Sequence, residues 1–172
     1  MRAGIAFGSN LGDRLGFLRR ARTEVAVASG VSGPLCSSRI YETAPVGTEP
    51  GAPAFLNAVV EVEYSGQPLA LLAVLQGIEA AFGRPSKRPR NASRPIDLDI
   101  LYAGNLVLNN EEIVIPHPRL HLRRFVLQPL ADIRPELILP GRELSVAELL
   151  TRLEDPAPVV LYESGWDPAA SF

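Results

Sequence analysis

The run Phe55-Leu56-Asn57-Ala58-Val59-Val60-Glu61-Val62-Glu63-Tyr64 constrains the fold more than any other segment. Read at period two, Leu56, Ala58, Val60, Val62 and Tyr64 make one wholly apolar face. Phe55, Asn57, Val59, Glu61 and Glu63 make a second, mixed face. Such a strand must bury its apolar side against another layer, and the chain supplies amphipathic helices for it. Leu15, Leu18, Ala21, Val25 and Ala28 recur at helical spacing between Gly12 and Ala28. Pro68 opens a second helix reaching about Phe82, since proline is welcome at a first turn.

Further strands are expected at 2–7, 35–43 and 95–102. Ala103-Gly104-Asn105 turns the last of these into Leu106-Val107-Leu108. Ser145 and Glu148 form a capping box for a short helix ending near Leu153, and 158–162 adds a late strand. The order strand, helix, strand, strand, helix, strand predicts an α+β protein with a ferredoxin-like βαββαβ core and C-terminal additions. No repeat or low-complexity linker divides the 172 residues, so a single-domain α/β sandwich over 1–172 is expected. Sixteen prolines, about twice the ordinary share, cluster at 45–53, 85–95 and 116–140, which read as ordered loops or element ends.

Charge is nearly balanced, with 17 basic and 19 acidic residues, so nothing draws the whole chain to nucleic acid or membrane. Cys36 is the only cysteine, which excludes an intrachain disulfide; with His117 and His121 it makes a poor zinc set. The N-terminus reaches Gly8-Ser9-Asn10 too soon for a signal-peptide core, and a cytoplasmic location is expected.

The basic residues are concentrated. Arg84, Lys87, Arg88, Arg90 and Arg94 share one window without an acid, and Arg119, Arg123 and Arg124 share another. A basic window alone is as well explained by a solvated loop as by a polyanion site. The segment after the first window decides between them. In Pro95-Ile96-Asp97-Leu98-Asp99-Ile100-Leu101, alternation sends Ile96, Leu98, Ile100 and Tyr102 inward and sets Asp97 and Asp99 side by side on the opposite face. Adjacent carboxylates repel unless a cation lies between them, and Mg²⁺ takes such oxygens while completing its shell with water and phosphate. Asp-x-Asp directly after five basic residues reads as a metal–polyphosphate centre.

Two more segments add to it. Gly8-Ser9-Asn10-Leu11-Gly12-Asp13 is a strand-to-helix turn that could cradle phosphate, though it lacks the Walker A ending. The Pro/Gly-rich stretch from Thr43 to Pro53 leads to Phe55 and Asn57 on one strand face, where an aromatic plate beside an amide suits a flat heterocycle.

Taken together, Gly8-Ser9-Asn10-Leu11-Gly12, Tyr41-Glu42-Thr43 with Phe55-Leu56-Asn57-Ala58, Arg94-Pro95-Ile96-Asp97-Leu98-Asp99-Ile100 and Pro116-His117-Pro118-Arg119 resemble the 6-hydroxymethyl-7,8-dihydropterin pyrophosphokinases of folate biosynthesis. The motifs run in that family's order over about residues 4–140. The resemblance implies transfer of pyrophosphate from ATP, as co-substrate, to the pterin hydroxymethyl group, releasing AMP. It implies two Mg²⁺ ions on Asp97 and Asp99, with Arg84 and Arg94 on the transferring group. It puts Gln76, Glu79, Arg90, Arg94, Ile100, His117 and Arg123 at ATP. Thr43, Ala44, Val46, Phe55, Asn57 and Phe125 would line the pterin pocket, the two rings sandwiching the bicycle. The charge balance gives no expectation of nucleic-acid or membrane partners; a monomer is expected although the sequence itself is silent on oligomeric state, and contact with neighbouring folate enzymes is left open. Where family members often carry a further Arg and a Trp, this chain has Ser86 and Asn91.

Two alternatives compete. A nucleotidyltransferase also joins Gly-Ser to Asp-x-Asp, but within a short stretch, whereas Asp97 lies nearly ninety residues past Ser9. A nucleic-acid-binding module would use 84–94, yet no aromatic residue is interleaved there.

Overall fold

The computed structural model describes residues 1–45, 51–83 and 93–167. Its elements run β1 (Arg2–Ser9), α1 (Arg14–Ala26), β2 (Val31–Ser37), β3 (Ile40–Thr43), β4 (Phe55–Tyr64), α2 (Pro68–Ala81), β5 (Asp97–Ala103), β6 (Leu108–Asn109), β7 (Val114–Ile115), α3 (Arg124–Ile133), α4 (Val146–Arg152) and β8 (Val159–Glu163). The main sheet is antiparallel, in the order β5-β1-β4-β3-β8, with β2 also paired to β4. The expected strand at 55–64 and helix from Pro68 are present. The Asp13 carboxylate caps α1 by accepting from the Gly16 N–H, and the Ser145–Glu148 box caps α4. No helix among the described residues is long and apolar enough to cross a membrane.

The strand expected at 35–43 is two pieces. Ser37 pairs with Val60 and Tyr41 with Asn57, so the register slips by one residue between them. Ser38 fills the break: its N–H donates to the Val59 carbonyl and its Oγ accepts the Val59 N–H, each at 2.9 Å. The late strand pairs with β3, and Trp166 beyond it donates from its indole to the Ser38 carbonyl at 2.7 Å. The Trp166 ring stands edge-on to Phe7. The C-terminal segment is thus tied to both sheet and core.

Helices cover both faces of the sheet. Leu18, Ala21 and Val25 of α1 and Leu71, Leu75 and Ile78 of α2 pack on the even-numbered side chains of β4. Val126, Leu127 and Leu130 of α3 and Val146 of α4 pack on the other side, over Val59. Helix α3 lies in a stretch whose prolines read as loop. Pro129 has no N–H to offer the Phe125 carbonyl, which costs a helix interior about 3 kcal/mol, and burial of three apolar side chains against the sheet offsets it. The face of β4 read as mixed is therefore largely buried as well, with Asn57 and Glu61 under 10% exposed.

Strand β5 departs from simple alternation. Ile5 faces Ile100 and Gly4 faces Tyr102, so Leu101 is an extra residue, a bulge. Ile96, Leu98 and Ile100 enter the first core as expected, but beyond the bulge Tyr102 joins Leu101 in the second. The Tyr102 ring crosses Gly4, and its hydroxyl donates to buried Glu61 at 2.6 Å. Arg134 closes on the same carboxylate with its guanidinium fork. Burial pushes the Glu61 carboxyl up, but Arg134 and Tyr102 outweigh it and hold it below its usual range.

Gly4 exists to admit that ring: a Cβ there would lie 2.2 Å from Tyr102 Cε1. Gly4→Ala should lower stability by about 1–3 kcal/mol, because Tyr102 is pinned by Glu61 and cannot swing aside. Urea denaturation measures this, and an unchanged midpoint would contradict the packing.

Candidate active site

Cross-strand rows assemble the candidate site on the second face, at the margin of the part that α3 and α4 cover. One row runs Asn57–Gly8–Asp97 across β4, β1 and β5, and the next runs Val59–Ala6–Asp99. In these two rows the middle strand contributes only Gly8 and Ala6, so the floor lies low between the Asp pair and the Phe55–Asn57 strand. A Cβ at Gly8 would fill part of that floor, 3.5 Å from Asn57 Oδ1 and 3.8 Å from Asp97 Cβ. On the β4 side, the Asn57 side-chain amide donates to Thr43 Oγ1 at 2.7 Å. Both residues are buried, so the amide is locked in orientation.

Arg94 joins the two sides. Its guanidinium pairs with the Asp97 carboxylate and lies 5.9 Å from the centre of the Phe55 ring. Asp97 is partly shielded and Asp99 is exposed. Arg123, just before α3, lies 5.4 Å from the Phe125 ring and within electrostatic reach of Asp97, Asp99, Arg94 and Arg119. Burial and then Arg119 lower the Arg123 pKa while the two aspartates oppose them.

His117 is held by its backbone. Its N–H donates to the carbonyl of Leu101, the bulge residue, at 2.8 Å. Its Nδ1 accepts the Arg119 N–H at 3.2 Å, which assigns the ring proton to Nε2. Burial, then the Arg123 and Arg119 charges, push its pKa down to about 4. It is a neutral hydrogen-bond donor at physiological pH.

The other expected residues are spread over the neighbouring elements. Glu79 is buried, and its carboxylate accepts the Leu98 N–H at 2.8 Å, on the backbone between Asp97 and Asp99. The Ile100 side chain belongs to the first core, because alternation turns it away from the aspartates. Gln76 is exposed on α2, one turn before Glu79. Ala44 is exposed, and Phe125 packs partly against the second core. Arg84, Arg90 and Val46 lie outside the described residues, as do Ser86 and Asn91. The Gly8–Asp13 turn carries a contact the sequence did not reveal: Asn10, fully buried, bonds to residues 53, 93 and 94. Nothing in a one-dimensional pattern marks those segments as neighbours.

The donor set suits a hard cation. Among the described residues no group of three or more His, Cys, Asp or Glu could hold a metal. Two carboxylates on an open strand face would leave the other positions to phosphate and water, which is how Mg²⁺ binds with nucleotides.

The profile of the family described as 7,8-dihydro-6-hydroxymethylpterin-pyrophosphokinase matches residues 4–135. The chain is 37% identical over 151 residues to the 2-amino-4-hydroxy-6-hydroxymethyldihydropteridine pyrophosphokinase of Haemophilus influenzae, covering 88% of this chain and 92% of that one. It is 44% identical over 129 residues to the Bacillus subtilis protein of the same name, covering 75% of each. It is 40% identical over 151 residues to the folic acid synthesis protein fol1 of Pneumocystis carinii, covering 88% of this chain but only 20% of that longer protein. A crystal structure of wild-type Plasmodium falciparum HPPK-DHPS with pterin and p-hydroxybenzoate shares the fold, with TM-score 0.67 and 17% identity over 88% of this chain and 42% of that one.

The neutral state of His117 has a measurable consequence. Its folded pKa of about 4 lies below the unfolded value of 6.5, so the unfolded chain binds the proton more readily. Its stabilising contribution is complete above about pH 6.5 and disappears as pH falls through 4. The stability gap between wild type and His117→Asn, from urea midpoints, should narrow over that window. An imidazole titrating at 6.5 by NMR in the ligand-free protein would contradict its burial.

Proposed function

The chain belongs to the 7,8-dihydro-6-hydroxymethylpterin-pyrophosphokinase family, and from that premise we propose how its residues perform the transfer. The reaction moves the terminal pyrophosphoryl unit of ATP to the hydroxymethyl oxygen of 6-hydroxymethyl-7,8-dihydropterin, in folate biosynthesis. That oxygen gives up its proton and attacks the β-phosphorus, the bond from this phosphorus to the α–β bridging oxygen breaks, and AMP leaves, so that one proton is released per turnover. The family profile spans the basic segment and the Asp pair together, and nothing favours a nucleotidyltransferase or a nucleic-acid module.

One observation carries the assignment of roles: the row Asn57–Gly8–Asp97, with Arg94 reaching from Asp97 to the Phe55 ring. It supports a pterin side on β4 and a phosphate side on β5, separated by one strand of small residues. On the pterin side, Asn57 and Thr43 offer hydrogen bonds to ring heteroatoms, Phe55 and Phe125 flank the bicycle, and Ala44 and Val46 complete the rim. On the phosphate side, Arg84 and Arg94 stabilise the group in transfer. His117, through its Nε2 proton, Arg123 and Arg90 bind the ATP phosphates, with Gln76 towards the nucleotide. Asp97 and Asp99 would hold two Mg²⁺ ions, which neutralise triphosphate charge when bound. Catalysis of this kind rests on alignment and charge neutralisation, and it requires no cysteine or histidine nucleophile.

The proposal extends to architecture. The order β5-β1-β4-β3, with α1 and α2 on one face, supports a ferredoxin-like core within a single pyrophosphokinase domain over 1–172. We further propose a cytoplasmic monomer. The Plasmodium structure joins HPPK to DHPS in one chain, which makes a neighbouring folate enzyme the natural partner to examine.

The roles separate experimentally. Asp97→Asn and Asp99→Asn should each lower AMP formation by several orders of magnitude with the fold intact, since an amide keeps the shape but loses the charge. Asn57→Ala should weaken pterin binding by about 1–3 kcal/mol with little change in nucleotide affinity. AMP assays and calorimetry with each ligand check both. Near-normal turnover in an Asp variant, or equal loss of both affinities in Asn57→Ala, would contradict the roles.

A further inference from the structure

Asn10 comes directly after the last residue of β1 and is fully buried. Its side-chain oxygen accepts the Arg94 N–H at 2.8 Å, and its backbone N–H donates to the Arg94 carbonyl at 3.2 Å. Its side-chain nitrogen donates to Ser93 Oγ at 3.1 Å and to the Pro53 carbonyl at 3.4 Å. One planar amide therefore spans two chain segments far apart in sequence. Pro53 lies two residues before Phe55, and Arg94 three before Asp97. The neighbouring Arg14 strengthens the first attachment, donating to the Ala54 carbonyl at 2.7 Å while it pairs with Glu42.

The geometry needs an asparagine. Aspartate would keep the acceptor for Arg94 but lose both donors and bury a charge. Serine has no planar amide to present an acceptor to one segment and donors to the other. Because Asn10 is in the same strand-end segment as Gly8, it ties both attachments to the strand that separates the two sides of the site.

We infer that Asn10 is a positioning residue that couples the two substrate sides, holding the start of the pterin strand and the Arg94 backbone in fixed relation. The inference rests on the pyrophosphokinase reading and adds to it a fully buried residue outside both sets of proposed substrate contacts. Binding at Arg94 and Asp97 steadies the 93–94 backbone, and Asn10 passes that ordering to Pro53 and so to Phe55. The nucleotide then prepares the pterin side, which is a coupling free energy between two sites.

The test titrates 6-hydroxymethyl-7,8-dihydropterin by calorimetry into the full chain, with and without α,β-methylene-ATP and Mg²⁺. In wild type the analogue should tighten pterin by about tenfold or more. In Asn10→Ala that factor should fall below about threefold, while pterin affinity without nucleotide changes little. Generally loosened packing would instead weaken pterin with and without nucleotide and leave the factor intact. Circular dichroism verifies folding, and if Asn10→Ala does not fold, Ser93→Ala decides by removing one acceptor at a half-buried position; its factor should fall to an intermediate value. An unchanged factor in the deciding variant, or no coupling in wild type, overturns the inference. Failure of wild type to bind the pterin at all would overturn the functional reading instead.

Discussion

The antiparallel register of β1 between β4 and β5 sets everything about the site. It puts Gly8 between Asn57 and Asp97, and Ala6 between Val59 and Asp99. Side chains alternate faces along a strand, so a one-residue slip of β5 would turn both aspartates into the core under α1 and α2. Burial of Ile96, Leu98 and Ile100 in that core opposes such a slip. Burying each of these side chains is worth about 1.5–3 kcal/mol, whereas an unpaired buried carboxylate costs far more. The apolar half of β5 thereby fixes where its charged half points. Glu79 adds to this by accepting the Leu98 N–H between the two aspartates.

The second face of the sheet is divided. At one end α3 and α4 cover Val59, Leu101 and Tyr102, and the Glu61 carboxylate is satisfied by Tyr102 and Arg134. At the other end the face carries Asn57, Gly8 and the Asp pair. The bulge at Leu101 marks the change. It sends Leu101 and Tyr102 to the same core, and the Leu101 carbonyl accepts the backbone N–H of His117. One irregular residue both closes the structural end and anchors the backbone of His117 beside the proposed site, a common place for bulges.

Much of this is legible in the residue pattern, and the exceptions share a cause. The alternation at 55–64, the Pro68 helix start, the Ser145–Glu148 cap and the late strand are local signals, and each element is present. The Asp97–Asp99 pair and the Phe55–Asn57 pair are readable because period-two spacing fixes which residues share a face. Helix α3 is not, because Pro129 is a local veto that only tertiary burial overrides. Simple alternation sets Tyr102 on the wrong face, because a bulge leaves no mark in the sequence. The bond from the Leu98 N–H to Glu79 is unreadable too, because it depends on how α2 lies against β5. Asn10 carries no signal of its role, because its partners, residues 53, 93 and 94, become neighbours only when three strand ends meet.

The central claim is that two substrates lie on either side of β1 and exchange a pyrophosphoryl unit across Gly8. The most direct measurement is ³¹P NMR of the products formed by the intact chain from ATP, Mg²⁺ and 6-hydroxymethyl-7,8-dihydropterin. The account predicts AMP and a pterin diphosphate in equal amounts, with both transferred phosphorus atoms coupled to each other on the pterin. ADP with a pterin monophosphate, or free pyrophosphate with unmodified pterin, would contradict it.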